Sequence, residues 1–160
     1  MANYIFVSVD KKLKKVSWVK NVKAFTKKVF SKLNYTNEEL SIFFCDNETI
    51  KSLNENYRNI AKPTDVLSFE DGNLYERNGK EIKMLGDIAI SVDAISENAK
   101  AFSVSENEEA KRLLIHGILH LHGFDHGNEH LEKNKKQTCE MLCLQEKLVD
   151  EFKEEIIFSN

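Results

Sequence analysis

The sequence predicts an α+β fold: a single domain over residues 1–160, with one mixed β-sheet and helices packed on it. Three observations point there. Short runs rich in β-branched and aromatic residues intermix with stretches of helical periodicity, without the strict alternation of a βαβ chain. A chain of 160 residues can bury one real core, but not comfortably two. Pro63 is the only proline, and nothing resembles a linker, a repeat or a low-complexity segment.

The elements follow in chain order. Residues 4–9, YIFVSV, read as a first strand. Ser17 is placed to cap a helix whose Trp18, Val22, Phe25 and Val29 form one apolar stripe, with Lys20, Lys23 and Lys27 opposite. Residues 40–45, LSIFFC, are a second strand. Asp46 can cap a short helix to about Tyr57, with Ile50, Leu53 and Tyr57 turned inward. Residues 65–69, DVLSF, are a strand. Residues 70–83 are polar and contain the hairpin pair Asn78-Gly79, which predicts a loop or a small excursion. Residues 85–91, LGDIAIS, are another strand, and Asp93 starts a short helix to about Phe102. Ser105-Glu106-Asn107-Glu108 is a capping box. It opens a helix that runs to Gly123, the residue type of a C-terminal stop. A last helix, roughly 129–153, carries Leu131, Met141, Leu144, Leu148 and Phe152.

Composition narrows the class. Hydrophobic residues are 41% and charged residues 31%, ordinary for a soluble globular protein. No apolar run approaches the ~20 residues of a membrane span. The first 15 residues lack a charged region before the apolar stretch and a small-residue cleavage site, so a cytoplasmic protein is expected. Cys45, Cys139 and Cys143 cannot all pair. Cys139 and Cys143, four apart on a helix, read as small core hydrophobes rather than as a second metal site. Residues 1–32 hold nine lysines against one acid, a net +8, so the rest of the chain must carry −11 to reach the total of −3. That basic end reads as a solvated helix face, with a polyanion-facing surface as the alternative.

The chemistry concentrates in residues 116–126, HGILHLHGFDH. His116 and His120 lie at i and i+4, on one helical face a turn apart. Gly123 can end the helix, and His126 then returns as a third ligand. This H-x-x-x-H-x-x-G-x-x-H frame is the zincin-like histidine frame of the metzincin proteases, and it places a metal site on a central helix. Three protein ligands leave the fourth tetrahedral position open, the catalytic arrangement. Imidazoles without thiolates favour one Zn2+ per chain, although another divalent transition metal could bind. His122 points away from that face, and His122 and His130 read as surface or supporting residues. Asp125 either holds a histidine N–H or serves the turn.

The protease frame carries a glutamate after its first histidine as general base; here the position is Gly117. Without it, proton delivery to an amine leaving group is lost. A metal ion lowers the pKa of bound water to about 7 by itself, and a phosphodiester mainly needs its oxygens neutralised. Phosphodiester hydrolysis is therefore the more natural reaction. Gly117 leaves two explanations open: substrate passes over that side of the helix, or the helix packs closely on a neighbour there. Of three arginines, Arg77 lies in the polar loop. Arg112, four before His116, could stand near the metal or pair with Glu108 or Glu109. Arg58 could fork onto a phosphate. Spacing alone does not choose between Arg58 and Arg112.

The histidine frame with its GFDH ending, together with Asn54-x-x-x-Arg58, Thr64-Asp65-Val66-Leu67-Ser68-Phe69 and Leu85-Gly86-Asp87-Ile88, resembles the YbeY family. These are bacterial metal-dependent endoribonucleases of ribosomal RNA maturation. The resemblance spans about residues 54–126. It implies an α+β endoribonuclease domain and a zinc or similar ion on His116, His120 and His126. It implies single-stranded RNA as substrate, a role in 16S rRNA 3′-end maturation and ribosome quality control, and Arg58 as the functional arginine. The ribosome or its proteins are the implied partners, and the low net charge points to a protein that helps deliver substrate. Two other readings share the frame: a metalloprotease-like hydrolase with a displaced general base, and a non-catalytic metal-containing ribosome assembly factor.

Overall fold

The computed structural model describes residues 2–14, 16–127, 129–132 and 136–159. Five strands form one mixed sheet: β1 (Tyr4–Val9), β2 (Glu38–Cys45), β3 (Val66–Glu70), β4 (Leu74–Arg77) and β5 (Lys80–Ser91). The path is β1-β2-β5-β3; β1, β2 and β5 run parallel, while β3 and β4 pair antiparallel with β5. The polar excursion is thus a hairpin. Asn78 and Gly79, both at positive φ, make the two-residue turn that their types favour. They extend β5 five residues upstream of the expected strand.

Among the described residues five helices pack with the sheet: α1 (Val19–Lys32), α2 (Asn47–Arg58), α3 (Val92–Phe102), α4 (Glu106–Leu121) and α5 (Glu140–Glu151). The alternating side chains of the strands sort the two faces. Ile5, Leu40, Ile42, Phe44, Ile88 and Ile90 meet α1, α4 and α5 in the main core; Cys45, Leu67 and Ala89 meet Ile50 of α2 on the other side. The expected stripe of Trp18, Val22, Phe25 and Val29 is buried as a set. Lys23 and Lys27 lie exposed opposite it; Lys15 lies outside the described residues.

Several local expectations are corrected. Ser17 does not cap α1; Trp18 occupies the N-cap, with its ring buried and no side-chain cap bond. The N-cap of α3 is Ser91, not Asp93, whose carboxylate instead accepts the Asn47 N–H at 2.9 Å. Asp46 caps α2 as expected, but Tyr57 is 69% exposed and Asn54 takes the inward position. The capping box is half formed. Ser105 accepts the Glu108 N–H, while the Glu108 carboxylate turns to Arg112. The last helix begins at 140 rather than 129, and residues 133–135 of the expected span lie outside the described residues. Glu129 explains the late start: its carboxylate accepts the Thr138 and Cys139 N–H groups and the Thr138 hydroxyl, tying the loop ends together. Those bonds hold the carboxyl down at about 2. Cys139 is only partly buried and Cys143 is exposed, so neither is a fully buried core residue; burial pushes the Cys45 thiol up to about 12.

Two glycines carry close approaches. Gly86 sits at φ +143 in a bulge of β5 against β2, and a Cβ there would run into the Phe69 carbonyl. Gly117 is buried where α4 crosses β5, and a Cβ would lie 2.9 Å from Ile88 Cδ1 and 3.0 Å from its Cγ2. The substrate-access explanation for Gly117 is therefore overturned; close packing is the reason for a helical glycine.

Gly117→Ala should destabilise the protein. Overpacking costs about 1–3 kcal/mol, and the gain in helix propensity returns only about 1. Combination with Ile88→Val, which removes the nearest methyl, should recover part of the loss. Urea unfolding of the single and double variants measures both. Wild-type stability in Gly117→Ala would show that Ile88 yields freely.

Candidate metal centre

The histidine frame forms where α4 leaves the sheet. His116 and His120 share one face of its last turns, and Gly123, at φ +92, reverses the chain so that His126 returns to them. One nitrogen from each lies within 4.8 Å of the other two. Among the described residues this is the one His, Cys, Asp or Glu group so arranged.

Each ring has its second nitrogen engaged. His116 Nδ1 lies 2.7 Å from Gln145 Oε1, and His126 Nδ1 lies 2.8 Å from the Glu129 carbonyl. His120 hydrogen-bonds the Phe124 backbone. A ring that donates to an oxygen on one side presents a lone pair on the other. Burial pushes His116 below its ordinary value, helped by the neighbouring rings and opposed by the Gln145 bond. Burial and His126 lower His120 in the same way, and Arg58 adds to this. Three converging imidazoles fit a divalent transition metal.

The frame opens onto a cleft of about 790 Å³. Its walls are the β3 edge at Val66, Ser68 and Glu70, the α4 face, Gln145 of α5, and Arg58 at the end of α2. Arg58 arrives because Asn59, in the left-handed conformation, ends α2 beside the edge of the sheet. Among the described residues no ion pair or side-chain hydrogen bond engages the Arg58 guanidinium, and the residue is exposed. Arg112 differs. It pairs with Glu108 at 3.0 Å, Glu109 at 3.0 Å and Glu146 at 2.9 Å, with its side chain 13% exposed. Its charge is spent inside the wall. Asp65 lines the same cleft, held by Asn98, which also donates to Glu109.

The other flagged residues divide between the cleft, where Ser68 and Asp125 lie on the lining, and positions away from it. Asn54 does not reach Arg58; it donates to the Lys62 carbonyl and so braces the turn after α2. Asp125 serves the turn, accepting the Gly127 N–H at 3.2 Å. Asp87 points to the opposite sheet face from Ile88, whereas Ser68 lines the cleft. His122 is neither a surface residue nor a support of the metal frame. It stacks on Tyr35 at 3.6 Å and meets Glu38 at 2.9 Å, pinning the end of α4 to the start of β2. Sequence reasoning missed Gln145 and Asn98. A glutamine on an amphipathic helix and an asparagine on a short one carry no signal until the helices are packed.

Comparison with known proteins agrees with this geometry. Residues 5–153 match the family model described as Endoribonuclease YbeY. The Endoribonuclease YbeY of Treponema denticola is 47% identical over 133 residues, covering 82% of this chain and 82% of that one. Its namesake in Sulfurihydrogenibium is 41% identical, over 82% of this chain and 81% of that one. A solution structure from Thermotoga maritima superposes with a TM-score of 0.60 at 28% identity, covering 94% of this chain and 90% of that one.

His116→Ala, His120→Ala and His126→Ala should each abolish stoichiometric metal binding, because two ligands remain. His122→Ala should keep the metal but melt at lower temperature, having lost Glu38 and the Tyr35 stack. Elemental analysis and thermal melts of the four variants test this. Full occupancy in His116→Ala would overturn the ligand set.

Proposed function

The chain belongs to the YbeY endoribonuclease family, and from that premise we propose that residues 1–160 form one zinc-dependent endoribonuclease domain that cuts single-stranded RNA. Its role would be 16S rRNA 3′-end maturation and ribosome quality control, in the cytoplasm, with the ribosome or ribosomal proteins as partners. The observation that supports it best is the pairing, across one cleft, of three converging imidazoles with an arginine whose guanidinium has no ion-pair partner among the described residues.

His116, His120 and His126 would hold one divalent ion, which supplies Lewis acidity and acidifies water. The chain's own residues do the rest. Arg58 binds the scissile phosphodiester, and its planar fork can span two phosphate oxygens where negative charge gathers. Asp65, fixed by Asn98, gives the cleft a carboxylate that repels a strand placed out of register and can accept a proton. The volume is that of a small-ligand site, so about a nucleotide or two of strand is enclosed. An unstacked single strand can enter such a site base by base.

Arg58→Ala should keep the metal and the fold but lose turnover by about 2.7–4 kcal/mol of transition-state stabilisation, by analogy with removal of one oxyanion donor. Arg58→Lys should rescue poorly, because a point charge lacks the fork. Arg112→Ala should instead destabilise the fold by about 3 kcal/mol, leaving the buried Glu109 carboxylate uncompensated. Urea unfolding and single-turnover cleavage of the three variants separate the roles. If Arg58→Ala cleaves at the wild-type rate, the phosphate-binding assignment is wrong.

The alternatives make different forecasts for one assay. Purified protein is incubated with labelled single-stranded RNA and, separately, with unfolded protein, each with and without chelator. Chelator-sensitive cutting of RNA alone is expected. Cutting of the polypeptide would favour a metalloprotease-like hydrolase with a displaced base, and no cutting of either would favour a non-catalytic metal-containing assembly factor.

A further inference from the structure

Gln145 lies outside every motif that led to the centre. It is 1% exposed, on α5, and its side chain touches a proposed ligand. We propose that Gln145 is a positioning residue that fixes the tautomer of His116, and that the Arg112–Glu146 pair sets the direction in which its amide points. The inference rests on the metal reading of the same centre and deepens it.

The argument runs outward from the arginine. Arg112 donates from Nε and Nη2 to the two oxygens of Glu146, each at 2.9 Å. A carboxylate forked by a guanidinium is ionised and can only accept. Gln145 has one amide atom 3.1 Å from Glu146 Oε2. That atom must be the NH2 group, because a carbonyl oxygen there would face a carboxylate. The other end, the oxygen, therefore faces His116 Nδ1 at 2.7 Å. A carbonyl cannot donate, so Nδ1 must carry the proton. The lone pair of His116 is left on Nε2, the nitrogen that the Gln145 bond leaves free for an ion shared with His120 and His126. Each step admits one polarity.

The acceptor is neutral, and this has its own logic. Glu109 and Glu146 already surround Arg112, and Asp65 stands nearby through Asn98. An amide orients the ligand and adds no further charge to that wall. The arginine that does not reach the substrate thus acts on the metal through two side chains.

The test uses the full chain, with zinc as the probe. Gln145→Leu keeps the bulk and removes the acceptor; its zinc affinity, measured by competition with a chromophoric chelator, should fall 10- to 100-fold. Gln145→Glu keeps an acceptor for Nδ1 but loses the donor to Glu146, and should bind zinc more tightly than Gln145→Leu. In metal-free wild-type protein, long-range 15N NMR should find the His116 proton on Nδ1, and Gln145→Leu should redistribute it between the two nitrogens. Unchanged zinc affinity in Gln145→Leu, or a wild-type proton on Nε2, overturns the proposal. Should Gln145→Leu fail to fold, the wild-type tautomer decides alone. A wild-type protein that binds no zinc would instead sink the metal reading, and the tautomer measurement would still judge the relay.

Discussion

The contact of one helix with one strand governs most of what surrounds it. Along α4, Leu113, Leu114, Ile118 and Leu121 are buried in the same core as Ile88 and Ile90, and at Gly117 the helix backbone rests on the Ile88 side chain. A helix held that closely cannot rotate or slide without losing the contact. Its other face then has a fixed bearing, and on that face stand Arg112, His116 and His120. The glycine that replaces a protease's general base is therefore part of the scaffold. The same position that withholds a carboxylate from the chemistry lets the helix sit close enough to aim its histidines.

What could be read beforehand follows the range of the interactions. The strands, the apolar stripe of α1 and the i, i+4 histidines are local patterns, and each was legible because hydrophobic period and ligand spacing are properties of neighbouring residues. The hairpin at Asn78-Gly79 was legible for the same reason, since its turn chemistry is carried by two adjacent residues. The start of α5 was not. Met141, Leu144, Leu148 and Phe152 keep a helical period, but Glu129 takes the Thr138 and Cys139 N–H groups just ahead of the helix, a long-range bond that no local propensity reveals. Tyr57 is a similar case. Periodicity turned it inward, but it lies beside Phe69 at 5.1 Å on the less covered face of the sheet.

The arginines show where sequence runs out within the site. Arg112 is closer to the histidines along the chain and sits on their side of the helix, so spacing alone recommends it as much as Arg58. Three carboxylates, two from its own helix and one from α5, set Arg112 apart. A cation so enclosed has little field left for an incoming anion, whereas Arg58 at a helix end keeps its own. Charge pairing also revises the basic N-terminal helix. Lys28 and Lys32 are bound to Glu155 and Glu151 across the α1–α5 side, which lowers the effective charge of that surface.

The C-terminal stretch adds a condition on timing. Lys111, buried in the middle of α4, donates to the carbonyls of Phe152, Lys153 and Glu155, and Asn107 accepts the N–H groups of Ile157 and Phe158. The helix that bears the histidines is thereby closed by residues that are translated after it. A nascent chain already owns all three ligands long before α5 and its tail emerge. Until then, Lys111 has an unanswered charge and His116 lacks the side chain beside it. Domains fold as units during synthesis, and here the unit closes only once α5 and the residues after it have been made, so a chain still being made carries the complete histidine frame without a finished centre.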